Sequence, residues 1–243
     1  MRFMFKSYIE LMKLRVVELL LVTTVPALFL ASNGFPKLTT TLATLIGGTL
    51  AAGSANAFNM AIESESDKLM SRTAKRPISS GRISSKNAYI FATVTSLIAL
   101  SIFQIFTTDL ATLLSGFAIL FYVVGYTLLL KKNTSQNIVW GGIAGCMPVL
   151  IGQAAVTNSL TLTSWLFFFV VFFWTPPHFW ALAVKYRDQY QAADFPMLPV
   201  VAPMKSVVHQ MWFHSTFMAI TAIAVLISAD LSIWISIATA LLI

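Results

Sequence analysis

Oxygen-bearing side chains recur at helical spacing in the stretch Asn56-Ala-Phe-Asn-Met-Ala-Ile-Glu-Ser-Glu-Ser-Asp67. Asn59, Glu63 and Asp67 stand at i, i+4 and i+8, so in a helix each drifts only about 40° from the last and all three share one face. The stripe rises about 12 Å at 1.5 Å per residue. That is too far for a single hard cation, but it suits one or two Mg2+ ions bridging to a diphosphate, because Mg2+ takes few carboxylates and completes its shell with substrate oxygens. Glu65 points elsewhere if the helix continues. Arg72, Lys75, Arg76 and Arg82 follow, with Arg72 and Arg76 again four apart; guanidinium forks suit phosphate oxygens. Acids and bases alternating in this way also make an ordinary solvated loop of ion pairs.

A second constellation weighs against the solvated loop. Trp174-Thr-Pro-Pro-His-Phe-Trp180 runs into Lys185-Tyr-Arg-Asp188, with Asp194 beyond. Pro176 and Pro177 remove backbone donors and are expected to break or kink a helix just before His178, turning that imidazole towards a cavity. Charged groups this close to apolar runs are costly, which marks them as functional. His209 and His214 read as packing residues. Tyr122 and Tyr126 share a helical face near Lys131 and Lys132, as an interfacial aromatic belt or as cavity lining.

The elements that must position these groups are membrane helices. Hydrophobic residues make up 57% of the 243 and charged residues only 10%, whereas soluble domains carry about 25% charge. Seven segments approach the roughly 20 apolar residues of a span: 16–32, 38–62, 87–107, 110–130, 138–157, 162–184 and 207–228. An eighth begins at Leu231 and has 13 residues before Ile243, so the expectation is a single all-α transmembrane domain over 1–243, truncated within its eighth span. The first segment is closed by no small-residue cleavage site and is read as a retained helix. With the amino terminus inside, 1–15, 63–86, 131–137 and 185–206 hold 15 of the 16 Lys and Arg, and the positive-inside rule then puts the polar loops in the cytoplasm. The net charge of +7 follows topology, so nucleic acid is not an expected partner. Cys146 stands alone in an apolar run, which excludes a disulfide framework and a cysteine metal site. Gly141 and Gly145 form a small-xxx-small face for helix packing, with Gly152 beyond them. Segments two and six hold equivalent places in two four-helix units, an arrangement that pairs their inner loops around one basic cavity.

Several blocks together resemble the UbiA-type intramembrane prenyltransferases: Leu14-Arg-Val-Val-Glu-Leu-Leu-Leu-Val-Thr-Thr24, Gly53-Ser-Ala-Asn-Ala-Phe-Asn59, Arg72-Thr-Ala-Lys-Arg-Pro77, Gln136-Asn-Ile-Val-Trp-Gly-Gly142, Trp174-Thr-Pro-Pro-His-Phe-Trp180 and Pro196-Met-Leu-Pro-Val200. The Arg-Thr-x-x-Arg-Pro and Trp-Thr-Pro-Pro-His-Phe-Trp blocks are similar to the haem-directed branch. Glu63 and Glu65 stand where the family usually has aspartates, and Gln189 interrupts its second motif. The resemblance implies a bundle of two four-helix units plus a ninth span, in a bacterial plasma membrane. It implies Mg2+ on Asn59, Glu63, Asp67 and Asp188, with Asp194 in reserve for Asp188. Arg72, Arg76 and Lys131 would neutralise the leaving diphosphate, Asn56, Lys75, Tyr122, Tyr126, Lys185 and Arg187 would bind substrate, and His178 would orient or ligate haem. The implied substrates are farnesyl diphosphate and protohaem IX, and the implied protein partners are haem-modifying or oxidase-assembly factors. A quinone precursor or chlorophyllide acceptor is the near alternative. A transporter is disfavoured because its site would lie near the midplane, and a scaffold would not need two matched acidic loops.

Overall fold

The computed structural model describes residues 2–230, so the expected eighth segment lies outside the described residues. Among these the chain is helical: α1 (Arg2–Met12), α2 (Leu14–Ser32), α3 (Leu38–Ile62), α4 (Ser64–Lys68), α5 (Ser85–Phe106), α6 (Asp109–Leu120), α7 (Asn137–Thr157), α8 (Leu162–Lys185), α9 (Arg187–Ala192), α10 (Leu198–Val201) and α11 (Met204–Ser228). A π-helical stretch, Phe121–Leu130, continues α6 without interruption. Six helices among the described residues are long and apolar enough to cross a membrane, and the molecule is a polytopic transmembrane bundle. The expected segment 38–62 is present as α3 but is not among those six, because Thr, Gly, Ser and Asn interrupt its apolar run. Of these Thr44, Gly47, Gly53, Ser54, Asn56 and Asn59 are buried inside the bundle, so much of α3 is stabilised by protein neighbours in place of lipid.

The long helices alternate in direction, which gathers 63–84, 131–136 and 186–203 at one end. At the other end Thr108 Oγ1 donates to the Ala154 carbonyl at 2.8 Å and Thr163 Oγ1 to that of Ser228 at 3.3 Å. Thr161 opens α8 with a capping box to Ser164, which satisfies amides the helix itself cannot. α7 runs through the middle: its Cys146, Met147, Leu150, Ile151 and Ala154 pack with Leu28 of α2, Phe103 of α5, Ala111 of α6 and Phe168 of α8.

The glycines of α7 do different work from the expected pair. A Cβ on Gly145 would meet nothing within 4 Å, whereas Gly141 makes room for the ring of Tyr126. The close helix approach is at Gly152, where a Cβ would lie 3.0 Å from Ala27 Cβ and 3.1 Å from the Thr24 carbonyl of α2. α8 also departs from expectation. It passes through Pro176 and Pro177 and remains helical to Lys185. The two prolines remove amide donors without ending the helix, and Thr175 Oγ1 donates to the Val171 carbonyl at 2.8 Å just before them.

Candidate active site

α3 ends at Ile62 and α4 begins at Ser64, yet i to i+4 bonding carries across the joint: Glu63 N donates to the Asn59 carbonyl at 2.9 Å and Asp67 N to that of Glu63 at 2.8 Å. Asn59, Glu63 and Asp67 therefore stay on one side, and all three are buried, at 2%, 3% and 1% exposure. Glu65 points away and pairs with Lys68 at the surface.

Each buried carboxylate meets a base from another part of the chain. Arg76 Nη1 lies 2.7 Å from both oxygens of Asp67. Lys131 Nζ donates to Glu63 Oε2 at 2.6 Å and also touches Oε1, at an angle that leaves this buried oxygen without a hydrogen-bond donor. A third base is Lys13, in the left-handed joint between α1 and α2 (φ 52, ψ 55), whose Nζ donates to Asn59 Oδ1 at 2.9 Å. Burial, with the Arg76 charge second, pushes the Lys13 ammonium down to about 7. Lys13 was missed in the sequence because a base ahead of a first apolar segment reads as a topology signal.

The π-helical stretch brings in the fourth wall. Bonding from i to i+5 winds about 4.4 residues per turn, so Tyr122, Tyr126 and Lys131 share a side that an α-helix would divide. Lys131 N donates to the Tyr126 carbonyl at 2.8 Å. Tyr122 and Tyr126 lie 5.4 Å apart, the Tyr122 hydroxyl reaches Asn56 Oδ1 at 3.5 Å, and Lys131 Nζ is 5.8 Å from the centre of the Tyr126 ring. Both tyrosines thus line the site, in contrast to an interfacial belt. Asn56, also buried, donates to the Met12 carbonyl at 3.0 Å and ties α3 to α1.

The loop after α8 meets this cluster through neutral groups. Arg72 Nη2 donates to the Tyr190 hydroxyl at 3.4 Å and Ser71 Oγ to Gln189 Oε1 at 3.3 Å. Phe195, fully buried, places its ring 4.8 Å from Lys131 Nζ and 5.9 Å from Lys132 Nζ. Asp188 and Asp194 are exposed and join no ion pair among the described residues. Lys75, Lys185 and Arg187 are exposed as well; Lys185 lies over Tyr186 and Arg187 reaches the Val200 carbonyl. His178 stands on an exposed face of α8, stacked on Trp174 at 4.3 Å, where the unbroken helix leaves it outside the cluster. Phe195 carried no signal in sequence, since apolar side chains are unremarkable near membrane helices, and Gln189 stood out only as a departure from the second motif.

Two buried carboxylates, an amide oxygen and three bases at one end of a membrane bundle suit a polyanion with a hard cation. No three Asp, Glu, His or Cys side chains converge among the described residues. A cation here would draw its remaining oxygens from a ligand, as Mg2+ does, and the buried Glu63 Oε1, which only Lys131 contacts among the described residues, is an oxygen of the right chemistry.

Residues 20–243 match the model of the UbiA prenyltransferase family. A protoheme IX farnesyltransferase 1 of Saccharopolyspora erythraea is 48% identical over 236 residues, covering 97% of this chain and 75% of that protein. A protoheme IX farnesyltransferase of Leifsonia xyli is 54% identical over 196 residues, covering 81% of this chain and 64% of that protein. A UbiA homolog from Archaeoglobus fulgidus, solved with GPP and Mg2+, superposes with a TM-score of 0.77 at 16% identity over 97% of this chain and 82% of that one. At that identity the likeness is one of fold.

Proposed function

We propose a reaction for this chain from the premise that it belongs to the UbiA prenyltransferase family. It transfers a farnesyl group from farnesyl diphosphate to a vinyl group of protohaem IX, the activity named for relatives close to half identical to it. The observation that carries the reading is the buried set Asn59, Glu63 and Asp67 interlocked with Lys13, Lys131 and Arg76.

Asn59, Glu63 and Asp67 would hold Mg2+, with Asp188 or Asp194 of the second loop as a further ligand. Bound there, Mg2+ supplies charge neutralisation for the diphosphate oxygens. Arg76, Lys131 and Lys13 turn to the diphosphate, and Arg72 with Lys75, Lys185 and Arg187 forms the basic rim that draws it in. The allylic C–O bond breaks and its electron pair leaves with diphosphate, an anion that these bases stabilise most as charge develops. The farnesyl carbon bonds to the terminal vinyl carbon, and water adds its oxygen to the neighbouring carbon and gives up a proton. Tyr122 and Tyr126 wall the site and exclude stray water from the allylic cation. His178, which bonds to no other described residue, and the stacked Trp174 offer haem a ligand and a flat surface. The positive-inside bias supports a cytoplasmic placement for this end, and the bacterial relatives support a plasma membrane.

The test is mass spectrometry of purified protein supplied with farnesyl diphosphate, haem and MgCl2. The expected product has the mass of haem plus a farnesyl group and a hydroxyl, and it disappears in Asp67→Ala. Unchanged Mg2+-dependent turnover in Asp67→Ala would remove the metal assignment. Haem that co-purifies with the wild type is expected to be lost in His178→Ala.

A further inference from the structure

We infer that Thr127 is a positioning residue for the cation site, setting which end of the Asn59 amide faces it; this rests on the metal reading above. Thr127 is buried in the π-helical stretch. Its hydroxyl donates to the Tyr122 carbonyl five residues back at 2.9 Å, and it accepts from Asn59 Nδ2 at 3.2 Å. A hydroxyl has one proton. With that proton committed to Tyr122, Oγ1 can only accept, so the neighbouring amide must present its NH2. The carbonyl oxygen of Asn59 is thereby turned the other way, towards Lys13 Nζ.

In this ligand-free arrangement Lys13 Nζ also favours the orientation, since it donates to Asn59 Oδ1. When Lys13 moves to an anion, Thr127 alone keeps the amide from flipping. A flipped amide would show a cation two N–H groups in place of an oxygen. The i to i+5 reach to Tyr122 depends on π geometry, which gives that stretch a role in the site beyond aligning Lys131. Residues that hold a ligand from behind typically contribute 10- to 100-fold in metal affinity.

The experiment titrates Mn2+ into detergent-solubilised protein with inorganic diphosphate present, following free Mn2+ by electron paramagnetic resonance. Thr127→Val keeps the side-chain shape and removes the hydroxyl, and is expected to weaken Mn2+ binding by about tenfold. Thr127→Ser restores the hydroxyl and is expected within about twofold of wild type. The Mg2+ concentration for half-maximal turnover should move in parallel. Thr127→Ala serves if Thr127→Val does not fold. Equal Mn2+ affinity in wild type and Thr127→Val overturns the inference, as does a Thr127→Ser protein as weak as Thr127→Val. Either result leaves the metal assignment standing, whereas a wild type that binds no Mn2+ overturns both.

Discussion

Removing Lys131 should separate its structural role from its chemical one. Glu63 is the more deeply buried partner, with 3% of its side chain exposed against 15% for Lys131. In Lys131→Met the methionine keeps the apolar stem between Tyr126 and Phe195 but leaves Glu63 as an uncompensated buried charge. Stranding one partner of such a pair costs about 3–5 kcal/mol. At about 2–4 °C of melting temperature per kcal/mol for a chain of this size, even the low end is a drop of roughly 6–12 °C. Glu63→Gln/Lys131→Met removes both charges, and the double change is expected to melt within about 1 kcal/mol of wild type, since neutral partners of similar shape avoid the stranded charge. Turnover should stay absent in both variants, because diphosphate has lost a base. The assays are thermal melting in detergent and product formation from farnesyl diphosphate and haem. A Lys131→Met protein that melts like wild type, or a double variant that melts no higher than the single one, would refute the reasoning.

Other expectations come from packing and topology. Gly152→Val should cost about 1–3 kcal/mol by pushing α2 away at Thr24 and Ala27, while Gly145→Ala, facing open space, should gain up to about 1 kcal/mol from helix propensity; melting curves compare the two. Phe195→Leu stays apolar but is smaller and loses the ring face under Lys131 and Lys132, so KM for farnesyl diphosphate should rise several-fold, with a stability cost of about 1–2 kcal/mol from the cavity. In a Cys146→Ser background, Lys75→Cys should react with an impermeant maleimide only from the cytoplasmic side and Lys37→Cys only from the outside.

The helices were legible because burial in lipid demands long apolar runs, and the oxygen stripe because i, i+4 spacing has only one geometric meaning in a helix. What escaped was what depends on contacts across the bundle. Lys13 reaches Asn59 over 46 residues of sequence, and nothing local marks it. The π winding of 121–130 leaves no periodic trace in a uniformly apolar segment, so the side on which Lys131 emerges could not be read. Pro176 and Pro177 misled in the opposite sense: two missing donors count heavily in isolation, yet α8 stays helical through them to Lys185. Gln189 and Tyr190, not Asp188, make the observed contact between the polar loops, since the exposed carboxylate is better solvated by water than by its neighbours.

The pre-existing pairs Glu63–Lys131 and Asp67–Arg76 bear on the order in which ligands enter. A metal ion arriving alone would have to evict a base from each carboxylate and strand it; a diphosphate arriving alone would pull the bases away and strand two carboxylates in a dry pocket. Arriving as a salt on the proposed assignment, the metal would take the acids and the anion the bases, and every displaced ion would find a new partner in the same event. Each ligand would then raise the affinity for the other by an equal factor, and the pocket would discriminate against free cations and against metal-free phosphates by the same interlock.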